Sequence, residues 1–412
     1  MLSVIHRART EYPSQFWLVF WGMLISAVGG SMIWPFLMVY VSERLQLPMT
    51  ATASLMTLSA VTGLIASFIA GPIVDRFGRK WIMVISLVLN ALGYIFMSQA
   101  QTLSEFAILM AINGIVNPLY RIGLDSMIAD LIPANKRADA YSLTRMANNI
   151  GVAIGPAAGG FIAAISYAIA FYIAAGGLAI FGALIALFAI ETLPPHDATN
   201  PVPAKEQFGG YGSVLRDTPF MGFVLSFTLV MVAASLVWVL LAVYVKQNYG
   251  IPESQYGFIP TTNALMVILF QFAVTQFTKH RPPLRMVALG AVFYAVATAG
   301  IALGQGFWAF WLCMVVLTCG ELIIMPTSST YVANLAPAAK RGRYMSLFGL
   351  SWNVASGIGP ILGGFLNDNV SPQMIWYGGG VAGLIAVLGF LILNWRFPHT
   401  QQVEMQTESV VK

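Results

Sequence analysis

Charged residues are scarce in this chain. Asp, Glu, Lys and Arg make up only 9% of its 412 residues, against about 25% in a soluble globular domain. With 58% hydrophobic residues, that shortage excludes a soluble fold, a disordered chain and a collagen-like one. Cysteine is nearly absent: Cys313 and Cys319 are the only two, which excludes a disulfide-rich secreted scaffold. Within one apolar helix they would stand about 9 Å apart, too far to bridge, and they are read as core residues. Histidine is sparse as well. His6, His196, His280 and His399 all fall in tails or loops, leaving no metal-ligand pair and no catalytic triad. No phosphate-binding P-loop is present, so ATP does not drive this protein directly. No enzymatic activity, cofactor or metal is expected.

What remains is an apolar chain suited to a bilayer. A spanning helix takes about 20 residues, so twelve would use about 240 and leave about 170 for loops and tails. Twelve apolar segments can be marked, at 16–40, 51–74, 81–100, 105–132, 140–165, 167–190, 220–245, 257–278, 286–304, 307–335, 345–367 and 373–395. The predicted class is an all-α integral membrane protein with twelve transmembrane helices in two six-helix halves. The run from Phe16 continues for about 25 residues without an evident cleavage site, and is read as a span rather than a signal peptide. The longest polar stretch, 191–218, holds Pro194, Pro195, Pro201, Pro203 and the pair Gly209-Gly210, a linker composition. The expected organisation is a first half at 1–190, a linker at 191–219, a second half at 220–397 and a tail at 398–412.

The basic residues orient the chain. Arg7 and Arg9 precede the first span; Arg76, Arg79 and Lys80 follow the second; Lys136 and Arg137 follow the fourth. Lys205 and Arg216 lie in the linker, Lys279, Arg281 and Arg285 follow the eighth span, and Lys340, Arg341 and Arg343 follow the tenth. Arg396 and Lys412 follow the twelfth. With an even number of spans, these seventeen of the 21 basic residues share one side. Only Arg44 and Lys246 fall on the other, while Arg121 and Arg145 fall within spans. The positive-inside bias then places both termini in the cytoplasm of a multi-pass protein of the cytoplasmic (inner) membrane. The net charge of +5 becomes a topology signal, and no nucleic-acid partner is expected.

The two halves repeat each other. Residues 128–161 read IADLIPANKRADAYSLTRMANNIGVAIGPAAGGF, and residues 332–365 read VANLAPAAKRGRYMSLFGLSWNVASGIGPILGGF. Fifteen of the 34 positions are identical without a gap. Shared residues include Pro133/Pro337, Lys136/Lys340, Arg137/Arg341, Asn149/Asn353 and Gly155-Pro156/Gly359-Pro360. Each copy covers a span end, a basic loop and the next span, so the two have the same orientation, a parallel repeat about an axis along the membrane normal.

The loop after the second span reads Gly71-Pro-Ile-Val-Asp75-Arg76-Phe-Gly78-Arg79-Lys80. Gly78 can take positive φ in a tight turn, and Gly71 permits close helix approach. Asp75 sits where an arginine or helix N-terminus could satisfy it, and Arg79 and Lys80 could pair with an acid such as Asp130. At this spacing, G-x-x-x-D-R-x-G-R-K, the chain resembles the major facilitator superfamily of transporters. The resemblance covers twelve spans, a central linker and duplicated halves. It implies a cytoplasmic gate of Gly71, Asp75, Arg76, Gly78, Arg79, Lys80 and Asp130, whose charged members form a latching network. The counterpart around Gln276 to Arg285 is degenerate and keeps only its positive charge.

The fifth span carries Gly151, Gly155, Pro156, Gly159 and Gly160. Glycines at 151, 155 and 159 share a helix face open to close packing, and Pro156 favours a bend. Helix packing alone is one explanation. The pattern also resembles the antiporter motif of bacterial twelve-span drug:proton exchangers, which implies efflux. A near-copy in the eleventh span, with Ala355 in the first position, weakens any link between the motif and direction.

Ionisable residues inside a membrane are costly and usually functional. Arg121 and Asp125 are four apart on the fourth span and could pair; Arg145 lies in the fifth and Glu321 in the tenth. Glu321 is the first proton-carrier candidate, with no basic residue within one turn, and Asp125 the second, modulated by Arg121. A structural salt bridge of Asp125 with Arg121 or Arg145 is the alternative. The resemblance implies that Arg121, Asp125 and Glu321 face a central cavity, with Arg145 at its edge. The chain departs from drug exporters of this kind at Met110, where an arginine is often found. Trp34, Asn117, Tyr120, Trp238 and Met325 are the expected cavity-lining residues; aromatic and Met surfaces suit amphipathic or cationic molecules.

The function expected is a proton-coupled secondary transporter that exports hydrophobic or cationic organic compounds by alternating access. Its partners would be a small-molecule substrate, protons and membrane lipids, with the protein a monomer. A proton-coupled importer or lipid flippase of the same fold, and a transport-dead membrane sensor or scaffold, are the rival readings.

Overall fold

A computed structural model describes residues 12–133, 136–193, 211–337 and 340–397. Arg7, Arg9, Lys205, Lys412, His6, His196, His399, the tail 398–412, and the prolines and glycine pair of the linker lie outside the described residues. All regular structure among the described residues is helical. The first span runs Ser14–Leu45 and passes through a short 3-10 segment, Trp34–Phe36, where Pro35 removes a backbone donor. The next five are Met49–Phe77, Arg79–Met97, Leu103–Leu131, Arg137–Ile165 and Tyr167–Phe188. The seventh is Thr218–Tyr249, and a short helix Glu253–Tyr256 leads into the eighth, Phe258–Thr278. Pro283–Leu303, Gly306–Leu335, Arg341–Asn369 and Met374–Arg396 complete the set.

Eleven of these helices are long and apolar enough to cross a membrane. The remaining one, Arg341–Asn369, has 29 residues, about 43 Å of helix. Its apolar character is diluted by Ser351, Asn353, Ser356, Asn367 and Asp368. The set is consistent with twelve spans. Local chemistry sets the ends. Thr102 and Glu105 form a reciprocal capping box at the start of the fourth span, which satisfies two otherwise orphaned backbone donors. Gln46 closes the first span in the left-handed conformation, φ 51°, and Gly78 separates the second and third spans at φ 90°.

The chain divides into two compact units, Met1–Pro195 with Ala242–Ile268, and His196–Leu241 with Leu269–Lys412. In the first unit the first span packs on the fifth and sixth, the second on the fourth, and the third on the fourth and sixth. Phe16, Phe20, Met83, Leu87, Met127, Phe181 and Ile185 fill the core between them. In the second unit the ninth span packs on the tenth and twelfth. Small residues let those backbones approach, as at Gly383, where a Cβ would lie 2.8 Å from that of Ala295.

The duplication extends to hydrogen bonds. Lys136 N–H donates to the Pro133 carbonyl at 2.9 Å, and Lys340 N–H to the Pro337 carbonyl at 2.8 Å. Arg137 and Arg341 each donate Nε to a carbonyl at the end of the preceding span, those of Ile132 and Ala333, both at 3.1 Å. Cys313 and Cys319 are unbridged and half-buried.

Candidate functional site

The charged turn after the second span is organised around Arg79. Its guanidinium contacts the Asp130 carboxylate at the end of the fourth span. It also donates to the Thr192 carbonyl at 3.1 Å and lies 3.9 Å from Asp75. Only 11% of the Arg79 side chain is exposed, against 67% of Asp75. Asp130 is therefore the strong partner and Asp75 the solvated one. Arg76 and Lys80 take no part in these pairs and lie over the rings of Phe77 and Trp81. Gly71 does not serve close helix approach: a Cβ there would meet nothing within 4 Å.

Glu191, just beyond the sixth span, completes this cluster and was not anticipated. The third span begins at Arg79 with no cap from its own N-cap residue, which is glycine. Glu191 substitutes, accepting the N–H groups of Arg79 and Lys80 at 3.0 and 3.1 Å. It also accepts those of Thr192 and Leu193. Burial works against the ionised carboxyl, but these backbone donors outweigh it and hold Glu191 below the ordinary glutamate range. The available signal was an isolated acid at a span end facing an uncapped helix start.

A second charged cluster lies at the opposite end of the first unit and was also missed. Lys246, near the end of the seventh span, pairs with Glu43 at 2.7 Å and contacts Glu253. Glu253 is nearly buried and also accepts from the Tyr167 hydroxyl. Gln247 donates to Ser42 Oγ at 2.7 Å. Lys246 was one of only two basic residues assigned to that side, and Glu43 and Glu253 stand at helix ends there. Lys246 and Glu253 are only seven residues apart; the distance in sequence of Glu43 and Tyr167 hid the rest of the cluster.

Within the spans, Arg121, Asp125 and Arg145 are exposed. No ion pair joins them among the described residues, although Arg121 is near enough to act electrostatically on Asp125. The Asp125 main-chain carbonyl instead accepts from the Tyr141 hydroxyl of the fifth span at 2.8 Å. Glu321 is half-buried in the tenth span. Its neighbour Gly320 is pressed onto the ninth, where a Cβ would lie 2.7 Å from the Gly290 carbonyl. Gln271 of the eighth span donates to the Leu322 carbonyl on the other side of Glu321.

Trp34 is 44% exposed, Asn117 is exposed, and Trp238 and Met325 are half-buried. Tyr120 turns toward the core, its ring edge-on to Phe181 at 6.0 Å. Met110 is buried. The glycine face of the fifth span seats the first span: Cβ atoms at Gly151, Gly155 and Gly159 would fall within 2.6 Å of Ala27, Ser31 and Met32 respectively. Gly160 and Pro156 abut the backbone of Glu253 and Gly257.

The family model described as Major Facilitator Superfamily matches this chain twice, over residues 19–236 and 223–409. The chain belongs to the Major Facilitator Superfamily. Its superfamily relatives include the MFS-type transporter YhjO of Bacillus subtilis, 26% identical over 97% of this chain and 98% of that protein. A Na(+), Li(+), K(+)/H(+) antiporter of Planococcus maritimus is 25% identical over 89% of this chain and 92% of that protein. The quinolone resistance protein NorA of Staphylococcus aureus is 23% identical over 91% and 96%. Among solved structures, the nucleoside transporter NupG superposes with a TM-score of 0.79 over 92% of this chain and 100% of its own, at 14% identity. That likeness shows the superfamily fold.

Proposed function

We propose that this membrane transporter exports hydrophobic or cationic organic compounds in exchange for protons, by alternating access. Its basic loops and both termini would lie in the cytoplasm. The observation that carries the reading is Glu321, a carboxyl set within a spanning helix between a contact to the ninth span and a tie to the eighth. A membrane-embedded carboxyl is costly unless it has a task, and taking up and releasing a proton as access alternates is such a task. Asp125 is the second carrier, with Arg121 and Arg145 tuning it. The relatives that are named as an antiporter and as a drug-resistance protein support the direction. Gating is assigned to the Arg79 cluster on the cytoplasmic side, and the fifth-span glycines to the packing that movement must preserve.

The test is substrate-driven proton movement in proteoliposomes, with tetraphenylphosphonium and ethidium as probes. Wild-type protein should accumulate them against a gradient only when a pH difference is imposed. Glu321→Gln should abolish that dependence, and Asp125→Asn should reduce it. Equal movement with and without a pH gradient would sink proton antiport; full gradient-driven transport by Glu321→Gln would sink the carrier assignment.

A further inference from the structure

On the fourth span Asn113, Asn117, Arg121 and Asp125 recur every four residues, forming one inclined polar row. At 3.6 residues per turn, the exposed Ile108, Ile112 and Ile115 fall on the far side of that helix. The polar row is therefore not its lipid-facing side. On the fifth span, Arg145, Asn148 and Asn149 likewise lie away from the exposed Ile154 and Phe161.

The Tyr141–Asp125 hydrogen bond sets the register of these two antiparallel helices, because it directs the Tyr141 face of the fifth span at the fourth. One turn inward, about 6 Å along each axis, Arg145 stands at the same depth as Arg121. A second turn inward, Asn149 stands at the depth of Asn117. Neither arginine has a hydrogen bond or ion pair among the described residues. Arg145 has no charge partner there at all. Two like charges at one depth in a spanning bundle repel each other and are retained at a cost. An anion placed between them removes both penalties.

The amides are prepared for the same task. Asn113 donates to the buried Asn90 at 2.8 Å, and Asn117 donates to Asn113 at 3.2 Å. This ladder fixes the Asn117 amide while leaving its second N–H open. Asn148 and Asn149 make no side-chain hydrogen bond among the described residues.

We propose that Arg121 and Arg145, assisted by Asn117 and Asn149, form a subsite for the oxyanion of an amphipathic substrate, chiefly a carboxylate. The proposal rests on the transporter reading and adds to its substrate class amphipathic compounds that carry an acid on an apolar body. Guanidinium forks match a carboxylate bidentately, and the amides supply neutral donors. Asp125, one turn from Arg121, leaves the cluster with a net single positive charge, suited to a monoanion.

The test compares dansylglycine with its neutral isostere dansylglycinamide, by equilibrium dialysis against the full-length protein in detergent. Wild type should hold the acid about 10-fold more tightly than the amide, a gap of about 1.4 kcal/mol. Arg121→Gln and Arg145→Gln should each erase most of that preference by weakening binding of the acid. Equal binding of the two probes by wild type, or no binding of either, overturns the subsite, and neither outcome depends on a variant folding. Preference surviving in the double variant overturns it too. A phosphate headgroup offers the same chemistry. Displacement of dansylglycine by phosphatidylglycerol, but not phosphatidylcholine, would assign the arginines to lipid and overturn the substrate assignment. Binding is read without transport. Acid preference in a protein that moves nothing in proteoliposomes would refute the transport reading alone; equal binding with intact gradient-driven transport would refute the subsite alone.

Discussion

A Cβ at position 78 would lie 2.4 Å from Oε2 of Glu191. Glycine is thus required twice at this turn, once for φ 90° and once to let a distant carboxylate reach the start of the third span. The two demands can be separated. Gly78→Ala should destabilise the protein by about 2 kcal/mol or more, combining a strained backbone with a steric conflict. In the double variant Gly78→Ala/Glu191→Ala, the steric share disappears. Thermal unfolding in detergent should therefore show the double variant losing less than the sum of the single losses. Additive losses would mean that Glu191 does not fill the space the glycine leaves.

Glu191 also supplies a pH signature. Its folded-state pKa is depressed, because backbone N–H donors outweigh the opposing effect of burial. The stabilisation it provides is present above the unfolded value near 4.5. It is lost as pH falls through the lower folded value. Melting temperatures of wild type and Glu191→Gln should differ most at neutral pH and converge as the medium is acidified below about pH 4.5. A constant gap across that range would rule out the ionised cap.

Much of this architecture was legible because bilayer insertion writes itself into composition. Twelve apolar segments were marked, and helices occupy all twelve, with ends displaced by a few residues where caps and prolines decide the boundary. Gly78 was legible from the spacing of its turn, and Asp130 from its place as an acid at a neighbouring helix end and from the family resemblance. Glu191 was not, since nothing local distinguishes it from any linker glutamate; its importance comes from a helix start more than a hundred residues earlier. Gly71 errs the other way. A glycine implies room for a neighbour, but the neighbour has to be there, and in this structure it is not.

In the cluster at Lys246 the partner Glu43 is as hidden by sequence distance as Glu191 was, while Glu253 is only seven residues away; the cluster's energetics follow from unequal burial. The Glu253 side chain is 6% exposed, while that of Glu43 is 43% exposed. Lys246→Met would leave Glu253 charged and unpaired in a dry setting, a loss of about 3 kcal/mol or more. Glu43→Gln removes only a solvated partner and should cost less than about 1 kcal/mol. Thermal melts of the two variants should rank in that order. A larger loss from Glu43→Gln would mean that the exposed pair, rather than the buried one, anchors Lys246.

The glycine faces of the fifth and eleventh spans provide a final test, because non-equivalent glycines on them meet different kinds of atom. A Cβ at Gly159 would lie 2.2 Å from the Met32 carbonyl, part of the first span's backbone. A Cβ at Gly359 would lie 2.1 Å from Ser235 Oγ, a side-chain atom that donates to the Ala355 carbonyl at 3.1 Å. Backbone cannot step aside without moving a helix, whereas a hydroxyl can be removed. Gly159→Ala should therefore lower stability by about 1–3 kcal/mol, with no single side-chain truncation restoring it. Gly359→Ala should be largely rescued by Ser235→Ala. Gly176, in the sixth span, has nothing within 4 Å of its notional Cβ. Gly176→Ala should be neutral or stabilising by up to about 1 kcal/mol, the helix-propensity difference. Melting temperatures of these four proteins decide the matter: equal losses at 159 and 176 would mean that the small-residue face has no role in seating the first span.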